Sequence, residues 1–294
     1  MVKLSTWVCA SFIVALAAAF GSAASDVNAD PPQPQTFTAG SLSMTLLEMD
    51  GGIRVQSLLD LDSQQELLAQ ESVPLFRLIL RDAKGKEQTL SADAGWKRLS
   101  VRQSDGAAAL TWEEPSDEGL KGFRVTAKAV PDTATSSWQW SLQTEGLGAD
   151  WSLWDAVFPQ VALRDRAAEG GVLYPGGAGQ LLRDLWTREI DESTRYGGGW
   201  ACMQFMAAFS AERDGQPATG LYFAMHDPMG STKEIVLQSR PAARDVRLSF
   251  AHHAPNQGVS ANNFILPGKA VWRLFKGDWR SEEHTSELQS RSDL

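Results

Sequence analysis

The sequence predicts an all-β fold, a large antiparallel β-sandwich, on three observations. Apolar and polar residues alternate with a period of two along many short stretches, as in strands that bury one face. Short turn signals separate these stretches, so sequence neighbours are expected to pair antiparallel. No stretch carries a helical stripe long enough to cross over between parallel strands, which argues against a βαβ fold.

The first 24 residues are expected to be a secretory signal. Lys3 supplies the positive start, Trp7 to Phe20 is an unbroken apolar or small run, and the small residues up to Ala24 suit cleavage, with Ala29 a second position. The run falls short of the roughly 20 residues that a spanning helix needs. The mature chain is therefore expected to have no membrane span and to be secreted or periplasmic. Residues 25–36, with Asp30-Pro-Pro-Gln-Pro-Gln, read as an extended linker. The folded domain is expected over 37–279.

Residues 280–294 break with what precedes them: Leu is their one hydrophobic type and they hold no aromatic. Arg280 through Ser290 resembles the in-frame translation of a common sequencing-library adapter, so this segment is expected to be foreign to the protein and stands outside fold reasoning. The 294-residue chain has 27 Lys and Arg against 36 Asp and Glu, a net charge of −9 that becomes −7 without the tail's two basic and four acidic residues. An acidic chain with no basic cluster does not suit a phosphate backbone, and no nucleic-acid partner is expected.

Within the domain, segments 42–49, 52–60, 75–81, 96–103 and 107–113 are strand candidates, divided by turns such as Asp50-Gly51-Gly52 and Ser104-Asp105-Gly106. Phe123, Val125, Ala127 and Ala129 alternate with polar residues, as do Trp138, Trp140 and Leu142, and then Val246, Leu248 and Phe250. Residues 62–70 and 181–190 are expected as short helices. Some 200 residues of meandering strands point to stacked sheets in one domain.

Cys9 leaves with the signal, so Cys202 is the one cysteine of the mature chain and no intramolecular disulfide can form. Cys202 lies in the mostly apolar run Trp200-Ala-Cys-Met-Gln-Phe-Met and is expected as a small core residue of a buried strand, without a cation or His to activate it. No P-loop, dinucleotide fingerprint, Gly-x-Ser-x-Gly elbow or paired metal histidines occurs. No cofactor and no metal site is expected. His252 and His253 follow an alternating strand and should point to opposite faces, where they cannot chelate one metal together.

Ten tryptophans remain after the signal. Trp112, Trp138 and Trp140 fall on apolar strand faces and are expected in the core. Trp151, Trp154, Trp186 and Trp200 lie near loops, where a flat aromatic face suits the apolar face of a pyranose. The Gly-rich segments Tyr174-Pro-Gly-Gly-Ala-Gly and Tyr196-Gly-Gly-Gly-Trp200 flank two of them and are placed to shape a cleft or simply to turn the chain. Strand 220–225 ends in His226-Asp227-Pro228 at a sheet margin. Two readings stand there: a sugar-hydroxyl contact or acid/base pair, or an Asp227 that caps a turn closed by Pro228 while His226 faces solvent.

Met203-Gln-Phe-Met, Gly220-Leu-Tyr-Phe-Ala-Met-His-Asp-Pro-Met-Gly with Thr232-Lys233 after it, and Lys276-Gly-Asp-Trp279 resemble an uncharacterised family of N-terminal domains in bacterial proteins classed as glycoside hydrolases. The resemblance spans approximately 160–279. It implies a galactose-mutarotase-like supersandwich that precedes a catalytic (β/α)8 barrel, here missing, with the catalytic carboxylates beyond residue 279. It also implies a truncated, exported, non-catalytic domain that supports or shapes carbohydrate binding. Trp200, His226 and Asp227 are the candidate carbohydrate-binding residues. The rival is a stand-alone aldose-1-epimerase-type mutarotase with a His acid and a Glu base, although Ala254 to Trp279 offers only Asp278. The third reading is a carbohydrate-binding module.

Overall fold

The computed structural model describes residues 33–164, 170–210 and 218–277. The signal, most of the linker, Trp279 and the 280–294 tail lie outside the described residues. In chain order the strands are β1 (Gln35–Ala39), β2 (Leu42–Met49), β3 (Gly52–Asp60), β4 (Gln65–Glu66), β5 (Arg77–Asp82), β6 (Glu87–Ser91), β7 (Trp96–Ser104) and β8 (Ala107–Pro115). They continue as β9 (Arg124–Asp132), β10 (Ser137–Glu145), β11 (Trp151–Arg164), β12 (Gly171–Tyr174), β13 (Gln180–Arg183) and β14 (Ile190–Tyr196). The last five are β15 (Phe205–Phe209), β16 (Thr219–His226), β17 (Lys233–Arg240), β18 (Asp245–His253) and β19 (Lys269–Lys276).

All named pairings are antiparallel, and they build three sheets. A four-stranded sheet runs β1-β2-β3-β4, a nine-stranded sheet β13-β12-β15-β16-β19-β10-β9-β8-β7, and a six-stranded sheet β14-β17-β18-β11-β5-β6. The alternation read from the sequence is what stacks them. Phe123, Val125, Ala127, Ala129, Trp138, Trp140, Val246, Leu248 and Phe250 are all fully buried in one core that draws on all three sheets. Removing such faces from water is the main drive to folding. Aromatic rings pack within that core: Phe76 edge-on to Trp112 at 4.8 Å, Trp140 tilted against Trp272 at 5.1 Å, and Phe223 stacked on Phe250 at 5.1 Å.

Part of the nine-stranded sheet is buried on both faces. Leu221, Phe223 and Met225 of β16 enter the main core, whereas Tyr222 and Ala224 join Leu173, Phe205, Ala207, Phe209, Val271 and Phe275 in a second cluster on the opposite face. Double burial explains why 220–225 is apolar almost throughout instead of alternating with polar residues.

The two expected helices are corrected. Residues 62–70 form a turn, β4 and a bridge from Leu68 to Leu163, and 181–190 holds the end of β13, a turn and the start of β14. Carboxylates take the backbone donors that a helix would need. Asp60 accepts from Asp62 N at 3.0 Å and from Ser63 Oγ, while Glu66 accepts from Leu58 N and Leu68 N, both at 2.9 Å. In the second segment Asp184 has φ +59, which ends β13 in a turn closed by Thr187 N donating to Asp184 O at 3.0 Å. One turn of 310 helix, Glu118–Leu120, is the helix present among the described residues.

Candidate functional site

The loops that carry Trp200 and Asp227 meet at one corner, where β14 ends and β17 begins, and His226 ends β16 directly before Asp227. The Gly-rich loop after β14 is built to hold Trp200 outward. Gly197 and Gly198 have φ of +80 and +99, and a Cβ on Gly199 would stand 2.3 Å from Arg195 O, so each needs to lack a side chain. This loop clasps the Gly-rich loop after β12: Gly176 and Ala201 form a β-bridge, Gly177 N donates to Trp200 O at 2.6 Å, and Cys202 N donates to Pro175 O at 3.0 Å. Two loops that singly would be mobile thus share a short ladder. Trp200 is left 83% exposed at its tip.

The 227–232 loop packs beside it, with Thr232 Oγ1 donating to Gly197 O at 3.1 Å. Asp227 organises this turn. Its Oδ1 accepts from Met229 N at 3.0 Å, and its Oδ2 accepts from Ser231 N at 2.8 Å and from Lys233 Nζ at 3.0 Å. Gln204 ties the turn to β15, donating from Nε2 to Asp227 O at 3.0 Å and accepting from Lys233 Nζ at 2.6 Å. Asp227 and Lys233 are buried, and the ammonium also lies 4.9 Å from the centre of the Tyr196 ring. Met229, next to the capped turn, is 86% exposed.

Burial works to raise the Asp227 carboxyl, but the hydrogen bond and charge of Lys233 and the Ser231 donors outweigh it and hold the carboxyl below its usual range. Burial also lowers the Lys233 ammonium, with Asp227 opposing. The depressed carboxyl is the direction that fits three donors converging on two oxygens. His252 sits opposite Lys233 in the β17–β18 register. Its Nε2 lies 3.0 Å from Phe158 O, and burial, then the Lys233 charge, push its pKa down to about 3. His253 points to the other face and pairs through Nδ1 with Asp155 Oδ1 at 2.7 Å. The opposite-face expectation for these two histidines holds.

His226 is half-buried at the end of β16, with Nε2 3.2 Å from Tyr222 Oη. The guanidinium of Arg273 lies over the same Tyr222 ring at 4.6 Å, and burial pushes the phenol up to about 12. Tyr222, His226 and Arg273 therefore lie on the nine-stranded sheet face that carries the second apolar cluster.

Cys202 is exposed, not a core residue; residues 200–203 precede β15 as part of the clasped loop. The apolar run was misleading because Gly197 to Gly199 turn the chain before it can pair as a strand. Trp151 is buried at the start of β11 in the main core, while Trp154 and Trp186 are half-buried. Lys233 and Gln204, the partners of Asp227, are not marked as such by the sequence pattern around them. A lysine opening an otherwise inward-facing apolar alternation, Lys233-x-Ile-x-Leu, signals a buried charge without naming its partner. Among the described residues no group of three or more His, Cys, Asp and Glu is placed to hold a metal ion. Among them, too, no helix is long and apolar enough to cross a membrane.

The architecture is that of a galactose-mutarotase-like β-sandwich. No protein family and no curated protein matches the sequence. Solved structures match by fold. A GH36 α-galactosidase from Geobacillus stearothermophilus, in complex with 1-deoxygalactonojirimycin, aligns with a TM-score of 0.54 and 13% identity over 83% of this chain and 41% of its own. The α-galactosidase from Lactobacillus brevis aligns at 0.52 and 9% identity over 84% and 40%. An aldose 1-epimerase candidate from Escherichia coli K12 aligns at 0.50 and 14% identity over 83% of this chain and 100% of its own. The chain thus spans about two-fifths of the length of these α-galactosidases, and at such identities the likeness is one of fold.

Two predictions concern the corner. Asp227→Ala leaves Lys233 as an uncompensated buried charge and is expected to cost about 3–5 kcal/mol in urea denaturation. Adding Lys233→Met should recover part of that loss; a double variant no more stable than the single one counts against the pairing. For His252, the folded pKa near 3 lies below the ordinary 6.5, so the unfolded chain binds the extra proton between those values. Stability should therefore fall by roughly 3–5 kcal/mol as pH drops from 6.5 to 3. His252→Phe should flatten that decline, and an unchanged slope would reject this origin.

Proposed function

We propose that this chain is the non-catalytic N-terminal sandwich of an exported glycoside hydrolase of the uncharacterised family it resembles, and that it supports or shapes carbohydrate binding at the Trp200 corner. The observation that carries the reading is a rigidly clasped, solvent-facing Trp200 beside the Asp227 turn. With its backbone held, the indole has two χ angles left to order on binding, and it offers the flat apolar surface that a pyranose stacks on. The Asp227 carboxylate has both oxygens engaged and its charge neutralised by Lys233, so its part is to hold the loop rather than to transfer a proton. GH36 neighbours that carry raffinose and stachyose support a carbohydrate ligand.

The mutarotase alternative has a specific observation in its favour: the His226 to Tyr222 hydrogen bond on the sheet face that Arg273 also borders. Mutarotation kinetics on the purified chain separate the two. The proposal expects no acceleration, and saccharide quenching of tryptophan fluorescence that is weakened in Trp200→Ala. A pH-dependent acceleration abolished by His226→Ala would establish the mutarotase instead.

The same proposal holds residues 1–24 to be a removed export signal and 280–294 to be adapter-derived. N-terminal sequencing of periplasmic or secreted protein should begin at Ser25. Resequencing the locus should show an open frame diverging from the present one after the Trp279 codon and continuing into alternating strands and helices. A native stop there would overturn the barrel-linked reading.

A further inference from the structure

Trp154 is set apart by a β-bulge. In the β5–β11 ladder Leu153 pairs with Leu80 and Asp155 with Ile79, so Trp154 is the extra residue, turned out of register. A bulge costs ladder hydrogen bonds and re-aims a side chain. Here side chains of the 255–262 loop bond the backbone beside it. Asn262 accepts from Leu153 N at 2.7 Å and donates to Leu153 O at 2.8 Å, and Gln257 Nε2 donates to Trp154 O at 2.6 Å. Gly258 N donates to Ser152 Oγ at 2.9 Å, and Ala261 N to Trp151 O at 2.8 Å. The 255–262 loop is thereby fastened to the bulge as one wall.

The other wall is the β5–β6 hairpin. Asp82 Oδ1 closes its turn by accepting from Lys84 N and Lys86 N, both at 2.8 Å. Arg81 lies with its guanidinium carbon 4.2 Å from the Trp154 ring centre, and its Nε and Nη2 both donate to Glu87 Oε2, at 3.2 and 3.1 Å. Between the walls is a cavity of about 530 Å³ bordered by Arg81, Asp82, Glu87, Asp150, Trp154 and Ser260. It lies towards the β5–β6 edge of the six-stranded sheet, whereas the Trp200 corner lies at the β14–β17 edge.

We propose that this cavity is a second saccharide site, separate from the Trp200 corner, and that its ligand is a neutral oligosaccharide. Three carboxylates and one guanidinium line it, so an anionic sugar would meet net repulsion, while neutral hydroxyls find both donors and acceptors. The indole supplies an apolar platform held by the bulge and by Arg81, and the guanidinium is held in turn by Glu87. Pre-organisation of this kind keeps the entropy cost of binding low. The volume accommodates a few sugar rings at the lower end of ordinary ligand pockets. The assignment does not depend on the function proposed for the Trp200 corner, because no residue is shared.

The test is calorimetric titration of the purified full chain with raffinose, stachyose, and the tetraoses of cellulose, starch, xylan and mannan. At least one should bind, with affinity reduced about tenfold in Trp154→Ala, the loss of one stacking contact. Asp150→Ala, on an exposed loop, should weaken the same ligand by about threefold to tenfold. Trp200→Ala should leave it within about twofold, which separates failure of this site from failure of the corner. Melting curves of each variant check the fold, and Asp150→Ala serves if Trp154→Ala does not fold. Binding by none of the six sugars overturns the proposal. So does wild-type affinity in both Trp154→Ala and Asp150→Ala, or preference for an oligogalacturonate.

Discussion

The aromatic seam between the nine-stranded and six-stranded sheets is the constraint on which the rest of the molecule depends. Trp140, packed beside Trp272 in one sheet, meets Phe158 from the other, and Phe223 stacks at 5.1 Å on Phe250 across the same gap. Since side chains alternate faces along a strand, seating Phe223 and Trp272 in the seam forces Tyr222 and Arg273 to the opposite face. A one-residue slip in β16 would exchange the two sets. The position of His226 at the end of β16 is thus a consequence of packing far from any ligand.

At the corner, the cost of burying a charge is met by concentrating donors. Lys233 begins β17 facing inward, opposite His252 in a largely apolar interior, and Asp227, Gln204 and the Tyr196 ring surround its ammonium. Such a pair adds little net stability against an apolar replacement. What it does here is specify one conformation of the 227–232 loop, because the same carboxylate that neutralises Lys233 also caps Met229 N and Ser231 N. Through Thr232 and Gly197 that order extends to the loop presenting Trp200. The second feature, the Trp154 bulge, reaches rigidity by the opposite route: an interrupted ladder whose adjoining backbone is bonded by side-chain amides. Both devices fix an aromatic at the surface without a disulfide.

Much of the fold was legible along the chain. The β2 and β3 boundaries at 42–49 and 52–60 coincide with those expected, and the inward sets of β9, β10 and β18 are the apolar members of their alternations. The failures have one cause. Residues 62–70 and 181–190 carry good helix formers, yet Asp60, Glu66 and the left-handed Asp184 satisfy or redirect the backbone there, so turn chemistry within a few residues outweighs helix propensity. Cys202 was misplaced for the same reason: its run is apolar, but the glycines upstream and the clasp with Gly176 keep it out of a strand.

What the sequence determined by itself is the class of fold and the inward face of most strands, because period-two burial is a local property of the backbone. It also pointed to Trp200, His226 and Asp227 as a group, through their places next to glycine turns and at a strand end. Only the tertiary structure decided their separate surroundings. Whether a tryptophan is core, as Trp151 is, or exposed at a loop tip, as Trp200 is, depends on which strand lies across from it. Whether Asp227 is a free carboxylate or the partner of a buried lysine depends on β16 and β17 ending at one point. Those are juxtapositions of residues distant along the chain, set by how three sheets stack, and no local pattern encodes them.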